Sequence, residues 1–277
     1  MKRRVSLAVI SDVHLGTYGS KAKELSEYLD SIQPDSLVVN GDLIDIWQFS
    51  RRYWPKAHMQ VVKQLLGLIS EGTRVIYITG NHDELMRKFA GFKLDNFEIC
   101  NQAVLPLDGK QAWLFHGDVF DSAMQHARWI ARLGANGYGL LILLNKAVNW
   151  CSRMMGRKPV SFSKRIKNAV KSKHKFVQTA GSIAAEKGYD FVVCGHVHRP
   201  EMRVVSTEHK KVLYLNSGDW VENMTALEYH NGEWQLYRHE QDFVPASTPA
   251  PVATTPTMEE LSAHWLFRSL LSEFDIA

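Results

Sequence analysis

The sequence predicts an α/β fold with a second, mixed sheet and a large helical insertion. In the first half, apolar β-branched runs typical of strands alternate with segments of helical spacing, which is the pattern of α/β proteins. Between 211 and 239, strand-like segments follow one another through short turns such as Asn231-Gly232, which predicts an antiparallel or mixed sheet. About eighty residues separate the strand before His116 from the strand before Gly195, far more than one crossover helix requires.

Seven strands are predicted, at residues 5–10, 36–39, 74–79, 112–115, 191–194, 212–215 and 225–229. Two helices are predicted in the first half, at 21–31 and 58–71, because apolar residues recur there every three or four positions. The insertion is also helical in pattern, with segments at 125–133, 139–154 and 163–186, and Pro159 interrupts it. We therefore expect a domain over residues 1–243 that carries an inserted cap at 120–187.

The C-terminal part has a different composition. Residues 244–257 are rich in proline and small side chains that bury little apolar surface, so we interpret them as a linker. Residues 258–277 place large apolar side chains at helical spacing, and they predict an amphipathic helix that docks on the body of the protein or on a partner.

Composition and length restrict the class of protein. The chain of 277 residues is 45% hydrophobic, which is enough for one large core, and its apolar runs are all far shorter than a membrane span. The first apolar run stops at Asp12 without a small-residue cleavage site, so it reads as a strand rather than a secretory signal. The scattered cysteines Cys100, Cys151 and Cys194 are expected to be reduced thiols. These features favour a cytoplasmic protein.

Charge is concentrated in the predicted cap. The formal net charge is only +4, yet residues 121–180 hold twelve basic residues and one acid, Asp121. Such a segment is either an ordinary solvated helix surface or a face for an anionic partner such as nucleic acid, lipid headgroups or a phosphorylated ligand.

Five short polar blocks lie where predicted strands end. They are Ser11-Asp12-Val13-His14, Gly41-Asp42-Leu43-Ile44-Asp45, Gly80-Asn81-His82-Asp83, His116-Gly117-Asp118 and Gly195-His196-Val197-His198. The carboxyl ends of strands in α/β sheets are where ligands bind, and mixed imidazole and oxygen donors suit borderline divalent metals. The candidate ligands are Asp12, His14, Asp42, Asn81, His116, His196 and His198.

The five blocks resemble the signature of the calcineurin-like metallophosphoesterase superfamily, which runs D-x-H, G-D-x-x-D, G-N-H-D/E, H and G-H-x-H. The resemblance covers residues 5 to about 240 and implies a four-layer α/β/β/α sandwich of two mixed sheets with a helical cap. It also implies two divalent ions, with Mn²⁺ favoured and Fe²⁺ or Zn²⁺ as alternatives, and hydrolysis of a P–O bond by a metal-activated hydroxide.

The resemblance further assigns roles to single residues. One ion would be held by Asp12, His14, Asp42 and His198, and the other by Asp42, Asn81, His116 and His196, so that Asp42 bridges them. Asn81 would also orient the phosphate, and His82 would protonate the leaving oxygen while Asp83 fixes its tautomer. Asp45 and Asp118 would orient metal ligands.

Longer segments are similar to the UDP-2,3-diacylglucosamine pyrophosphatase branch, whose members act in bacterial lipid A synthesis. These segments are residues 41–47, 116–121, 195–200 and 216–220. The similarity implies a nucleotide-lipid substrate, release of UMP and peripheral contact with the anionic inner membrane; it implies no oligomeric state. Asp121 and the cap bases Lys164, Arg165, Lys167 and Lys171 would then contact the sugar and the diphosphate.

Two alternatives remain open at the level of sequence. The best-known members of that branch carry arginine at the position of His82, whereas superfamily members in general carry histidine. A phosphoesterase for phosphoproteins, nucleotides or nucleic acid is therefore the second hypothesis, with nucleic acid the least favoured partner. A non-catalytic scaffold is the third, and it is disfavoured because no ligand of the signature is missing.

Overall fold

A computed structural model describes residues 2–50, 53–120 and 176–244 of the chain. The predicted linker, the predicted C-terminal helix, the first two cap helices and most of the third lie outside these residues. The proposed substrate contacts Asp121, Lys164, Arg165, Lys167 and Lys171 also lie outside them.

The described residues form twelve strands and four helices. The strands are β1 (Arg3–Ile10), β2 (Ile32–Asn40), β3 (Arg74–Ile78), β4 (Lys93–Leu94), β5 (Phe97–Cys100), β6 (Gln102–Leu107), β7 (Lys110–Phe115), β8 (Phe191–Cys194), β9 (Glu201–Ser206), β10 (Lys211–Asn216), β11 (Thr225–His230) and β12 (Glu233–Arg238). The helices are α1 (Ala22–Ser31), α2 (Lys56–Ser70), α3 (176–186) and α4 (His239–Asp242), and Glu84–Phe89 and Asp118–Phe120 are 3₁₀ turns.

The larger sheet has seven strands in the order β12-β11-β1-β2-β3-β5-β4. Its centre, β1-β2-β3-β5, is parallel, whereas β11, β12 and β4 add antiparallel pairs at the edges. Helices α1 and α2 connect the parallel strands in the way such crossovers require. Each turns an apolar stripe to the sheet, including Leu25 and Leu29 in α1 and Val61, Leu65 and Leu68 in α2.

The smaller sheet has five strands in the order β6-β7-β8-β10-β9. Strands β7, β8 and β10 are parallel, and β6 and β9 pair antiparallel at the two edges. The carboxyl ends of β7 and β8 therefore open at one edge of this sheet, just as those of β1, β2 and β3 do in the larger sheet.

Three apolar layers hold these elements together. Because successive side chains of a strand face opposite sides, Ala8 and Ile10 of β1 pack under α1 and α2, while Leu7 and Val9 pack between the two sheets. Helix α3 covers the outer face of the smaller sheet, where Val177 and Ala180 meet apolar side chains of that sheet. The predicted four-layer α/β/β/α sandwich of two mixed sheets is confirmed.

The observed strands that were not predicted have weak strand patterns in the sequence. Strands β4, β5, β6, β9 and β12 were not among the seven predicted strands, although β12 follows the Asn231-Gly232 turn that predicted further strand structure there. Strand β4 has two residues, Pro106 interrupts β6, and β9 alternates polar with apolar residues at a sheet edge. None of the helices within the described residues is long and apolar enough to cross a membrane. Cys100 and Cys194 are free thiols, as predicted, and Cys151 lies outside the described residues.

Candidate metal centre

The seven predicted ligands are all described, and they converge from five strand ends. Asp12 and His14 follow β1, Asp42 follows β2, and Asn81 follows β3, all in the larger sheet. His116 follows β7 and the pair His196 and His198 follows β8 in the smaller sheet. The site is therefore built by the carboxyl ends of both sheets together.

The ligands form two clusters of three. Asp12, His14 and His198 offer donor atoms that lie within 4.8 Å of one another, and so do Asp42, His116 and His196. His198 Nε2 is 3.2 Å from Asp12 Oδ1, and His116 Nε2 is 3.1 Å from Asp42 Oδ2. Each cluster contains three residues of one predicted ligand set, and a third group of donors, His14, Asp45 and His82, shares His14 with the first cluster.

Asp42 and Asn81 complete the arrangement. Asp42 Oδ2 is 4.0 Å from His14 Nε2, so this carboxylate faces the first cluster as well as its own. Asn81 Oδ1 is 3.3 Å from His116 Nε2, which places the amide beside the second cluster. The Asp42 carboxylate therefore lies near imidazole nitrogens of both clusters.

The backbone adopts an unusual conformation at five of the ligands. Asp12, His14, Asp42, His196 and His198 have φ angles of 53°, 52°, 56°, 63° and 49°. Left-handed backbone is uncommon for residues other than glycine and costs on the order of 1–3 kcal/mol at each position. Such strain is retained where it serves a site, and here it directs five side chains toward a common centre.

Glycines that precede predicted ligands in the chain leave space for ligand side chains from other strand ends. A Cβ atom at Gly195 would lie 2.6 Å from Asp12 Oδ2, and one at Gly41 would overlap the ring of His116. At Gly80 a Cβ atom would overlap the carboxylate of Asp42. The glycines of the G-D, G-N and G-H blocks are therefore required by close approach of neighbouring ligand side chains.

The buried donors fit divalent cations. His14 is buried, its Nδ1 lies 3.3 Å from Asp45 Oδ2, and its Nε2 has no hydrogen-bond partner among the described residues. An unpaired buried nitrogen costs about 1–3 kcal/mol. Asp12 and Asp42 are also buried, and the basic side chains that face them within the described residues are imidazoles. Cations at this centre would satisfy the nitrogen and neutralise the carboxylates.

The pKa values reflect the same concentration of negative charge. Burial alone would raise the pKa of Asp42, but the imidazoles of His116, His82 and His14 outweigh it and hold the pKa well below its ordinary value. Burial would lower the pKa of His116, yet the charges of Asp42 and Asp12 outweigh it and raise the pKa to about 10. The centre therefore stabilises positive charge, whether as a proton or as a metal ion.

Comparison with known proteins gives the family. The profile described as "Calcineurin-like phosphoesterase" matches residues 5–200. The chain belongs to the calcineurin-like phosphoesterase family. It is accordingly a metal-dependent hydrolase, and the predicted resemblance is confirmed.

Two curated relatives of this phosphoesterase share a name. The UDP-2,3-diacylglucosamine hydrolase of Aeromonas salmonicida is 27% identical over 89% of this chain and 97% of its own length. The enzyme of the same name from Aliivibrio fischeri is 22% identical over 85% of this chain and 99% of its own. Among solved structures, the E. coli phosphoesterase Yfce is 17% identical over 81% of this chain and 88% of its own, with a TM-score of 0.39.

His82 lies beside the metal centre of this phosphoesterase, but its partner differs from the prediction. Its Nδ1 is 2.9 Å from Asp45 Oδ2, and the same oxygen faces His14. Asp83 does not face the imidazole of His82; it is fully buried and accepts hydrogen bonds from Tyr77 Oη and from the backbone amides of Gly80 and Leu43. The predicted role of Asp83 as tautomer-fixing partner is therefore wrong, because the turn directs Asp83 into the core while His82 remains at the surface of the site.

Asp45 and Asp118 were predicted to orient ligands. Asp45 does face the ligand His14, and it also accepts a hydrogen bond from the amide of Gln48. Asp118 accepts a hydrogen bond from Arg87 Nη2 at 2.6 Å, and Arg87 also donates to the carbonyl of Gly80. Asp118 thus links the block after β7 to the block after β3.

Four residues that lie around the predicted ligands and His82 were not predicted from the sequence. Asp219 is buried with Oδ2 3.8 Å from His198 Nδ1, and it accepts hydrogen bonds from the backbone amides of a turn. The carbonyl of Asn40 accepts from His116 Nδ1 at 2.8 Å. Trp47 lies against His82 with ring centroids 4.4 Å apart, and His58 Nδ1 accepts from the amide of Gly16 just beyond His14. Asp219 and Trp47 had a signal in the sequence, since each lies in a segment similar to the pyrophosphatase branch.

Replacing Gly80 with alanine is expected to displace the metal centre. The new Cβ would overlap the Asp42 carboxylate and lie 2.6 Å from its backbone nitrogen, so Asp42 must move. Overpacking of this kind costs about 1–3 kcal/mol or more. We expect a lower melting temperature and loss of bound metal.

A matched control for this change is Gly67→Ala in α2, where a Cβ atom meets open space. It is expected to stabilise the fold by about 0.5–1 kcal/mol, because alanine is the better helix former. Full metal content in Gly80→Ala would contradict the steric argument.

Proposed function

We propose that the chain is a two-metal pyrophosphatase that cleaves UDP-2,3-diacylglucosamine into UMP and 2,3-diacylglucosamine 1-phosphate. Two histidine–carboxylate clusters lie around one carboxylate, Asp42, and this arrangement is the observation that supports hydrolysis at phosphorus. The substrate is supported by relatives of that activity whose similarity extends over most of both chains. The proposed place of reaction is the cytoplasmic surface of a bacterial inner membrane.

The metal-binding residues are assigned from the two clusters. Asp12, His14 and His198 would hold one ion, His116, His196 and Asn81 the other, and Asp42 both. Two divalent ions, Mn²⁺ being our first choice, would supply a water-derived nucleophile near neutral pH and neutralise charge on the phosphoryl oxygens.

The side chains around the clusters have distinct tasks. The Asn81 amide, which lies beside His116, would donate a hydrogen bond to a phosphoryl oxygen. His82 donates a proton from Nε2 to the oxygen that leaves phosphorus, since its Nδ1 faces the Asp45 carboxylate at 2.9 Å. Trp47 limits rotation of that ring by packing against it. The bond to the incoming oxygen forms, the P–O bond to the leaving group breaks, and the proton of His82 goes to the leaving oxygen.

The experiment that tests this function measures UMP release by the metal-loaded full-length chain. UDP-2,3-diacylglucosamine in detergent micelles is expected to give UMP and the lipid monophosphate in equal amounts. UDP-N-acetylglucosamine, which lacks the two long fatty acyl chains, is the matched control and is expected to react much more slowly. If the enzyme hydrolyses bis-p-nitrophenyl phosphate but releases no UMP from the lipid, the substrate assignment is wrong.

A second candidate is a phosphoesterase whose leaving group is an alcohol. His82 favours it, because an alkoxide needs a proton donor far more than a phosphate leaving group does. Faster hydrolysis of an alkyl phosphodiester than of the nucleotide-lipid, independent of detergent, would select this candidate.

A further inference from the structure

A segment at the carboxyl end of β10, residues 216–223, lies against the first ligand cluster, and we call it the 216–223 segment. Its first five residues are all buried. The amide of Trp220 donates to the carbonyl of Asp12 at 3.1 Å, and Ser217 Oγ lies 2.6 Å from the Oγ of Ser11. The segment follows a strand of the smaller sheet, so these bonds connect it to the block after β1 in the larger sheet.

The same segment is bonded to the block that carries His198. Asn216 Nδ2 donates to the carbonyl of Gly195 at 2.8 Å, and Asn223 Nδ2 donates to the carbonyl of His198 at 3.1 Å. The first cluster combines two residues that follow β1 with His198, which follows β8, so its geometry depends on how these two strand ends are held together. The 216–223 segment is bonded to both of them.

Asp219 is the carboxylate of this segment that faces His198. It is fully buried, and its Oδ2 lies 3.8 Å from His198 Nδ1, while Asp12 Oδ1 lies 3.2 Å from Nε2 of the same ring. The other carboxylate oxygen of Asp219, Oδ1, accepts hydrogen bonds from the backbone amides of Val221 and Glu222 at 2.8 and 2.5 Å. The turn therefore fixes the carboxylate beside the outer nitrogen of a predicted ligand.

His198 depends on such a partner more than the buried ligands do. Its side chain is 39% exposed, whereas those of His14 and His116 are 9% and 1% exposed. Packing therefore restricts the orientation of the His198 ring less. Carboxylates that face the outer nitrogen of a metal-binding imidazole orient the ring, and their replacement lowers metal affinity about 10- to 100-fold.

The second cluster is connected across the two sheets by other bonds. Asn40, at the end of β2, donates from Nδ2 to the carbonyl of Phe115 at 3.1 Å, and its own carbonyl accepts from His116 Nδ1 at 2.8 Å. The 216–223 segment takes no part in these two bonds. A change at Asp219 is therefore expected to disturb the first cluster and to leave this connection of the second cluster intact.

We propose that Asp219 is a positioning residue that sets the metal affinity of the first cluster through the orientation of His198, and that it does not control the affinity of the second cluster. The inference rests on the proposed assignment of one ion to each cluster. It adds a residue outside both ligand sets that acts on one of the two ions.

Metal titration of the full-length chain tests this inference without any substrate. Mn²⁺ is added to the metal-free chain, and the free ion is measured by electron paramagnetic resonance. Asparagine at position 219 keeps an oxygen that accepts the backbone amides and removes the charge that faces His198. We expect Asp219→Asn to bind one ion about 10- to 100-fold more weakly than the unaltered chain and the other ion with unchanged affinity.

A matched control is Glu222→Gln, which removes an exposed carboxylate from the same turn and is expected to bind both ions as the unaltered chain does. A double variant tests whether Asp219 acts through His198. In a His198→Ala chain, the further change Asp219→Asn is expected to cause no additional loss of affinity.

A second variant retains the test if Asp219→Asn does not fold, which the melting temperature of the metal-free chain would show. Asn223→Ala removes one bond to the carbonyl of His198 and another to the carboxylate of Asp219. It is expected to weaken the same single ion by a smaller factor.

The outcomes separate this inference from the proposed function. Unchanged binding of both ions in the folded variant, equal weakening of both ions, or a full additional loss in the His198→Ala chain would overturn the inference. Selective weakening of one ion, in a chain that releases no UMP from the lipid, would retain the inference and reject the proposed substrate. An unaltered chain that binds fewer than two ions would reject the two-metal function, and the inference with it.

Discussion

Replacing Asp42 with asparagine is expected to reduce phosphoester hydrolysis on the order of 1,000-fold or more, which corresponds to about 4 kcal/mol of transition-state free energy. Asp42 is buried, lies 3.1 Å from His116 and 4.0 Å from His14, and is the carboxylate that faces both clusters. Asparagine keeps the shape of the side chain and removes its charge. We therefore expect the bound metal, measured by mass spectrometry after dialysis, to fall from two ions per chain to one or none.

A control for this variant is available on β2, the strand that precedes Asp42. Asp35→Asn changes an exposed carboxylate of β2 and is expected to leave both metal content and hydrolysis unchanged. Two ions per chain in Asp42→Asn would show that this carboxylate does not bridge the two clusters.

Replacing His82 with alanine is expected to reduce hydrolysis in a way that depends on the leaving group. A proton donor contributes about 100- to 10,000-fold to proton-dependent steps, and contributes least when the departing oxygen is a weak base. We expect a loss of about 100-fold or more for phenyl phosphodiesters and a much smaller loss for p-nitrophenyl phosphodiesters. Rates for a series of aryl esters, plotted against the pKa of the leaving phenol, would become steeper in the variant.

Asp45→Asn is expected to reproduce part of this loss, because Asp45 Oδ2 lies 2.9 Å from His82 Nδ1. His209→Ala, at an exposed histidine in the turn before β10, is the matched control and is expected to have no effect. Equal losses for all leaving groups in His82→Ala would indicate that His82 positions substrate or metal ligands and donates no proton.

Much of the fold could be predicted from the sequence because its central strands are long apolar runs. Both faces are buried in strands β1, β2, β3, β7 and β8. Strands of this kind appear in the sequence as nearly continuous hydrophobic runs, so they can be recognised there. The edge strands β4, β6 and β9 are short, interrupted by proline or alternately polar, so their pairing depends on neighbours that are distant in the chain.

The roles around His82 depended on three-dimensional contacts. Asp83 was predicted to be the partner of His82 because it is the next residue in the chain. The carboxylate that faces His82 Nδ1 is instead that of Asp45, in the turn after the neighbouring strand β2. The turn after β3 directs Asp83 inward to Tyr77 and two backbone amides, and no local pattern encodes this direction.

The amino-acid sequence by itself determined the reaction class of this protein and its seven candidate ligands. It could do so because parallel strands bring the residues after their carboxyl ends to one edge, so five short blocks predict one site. Only the tertiary structure decided that Asp42 faces both clusters, that Asp45 lies beside His82 Nδ1, and that glycines leave space for neighbouring ligands. These relations depend on distances of a few ångströms between separate strand ends, and such distances are set by the packing of two sheets.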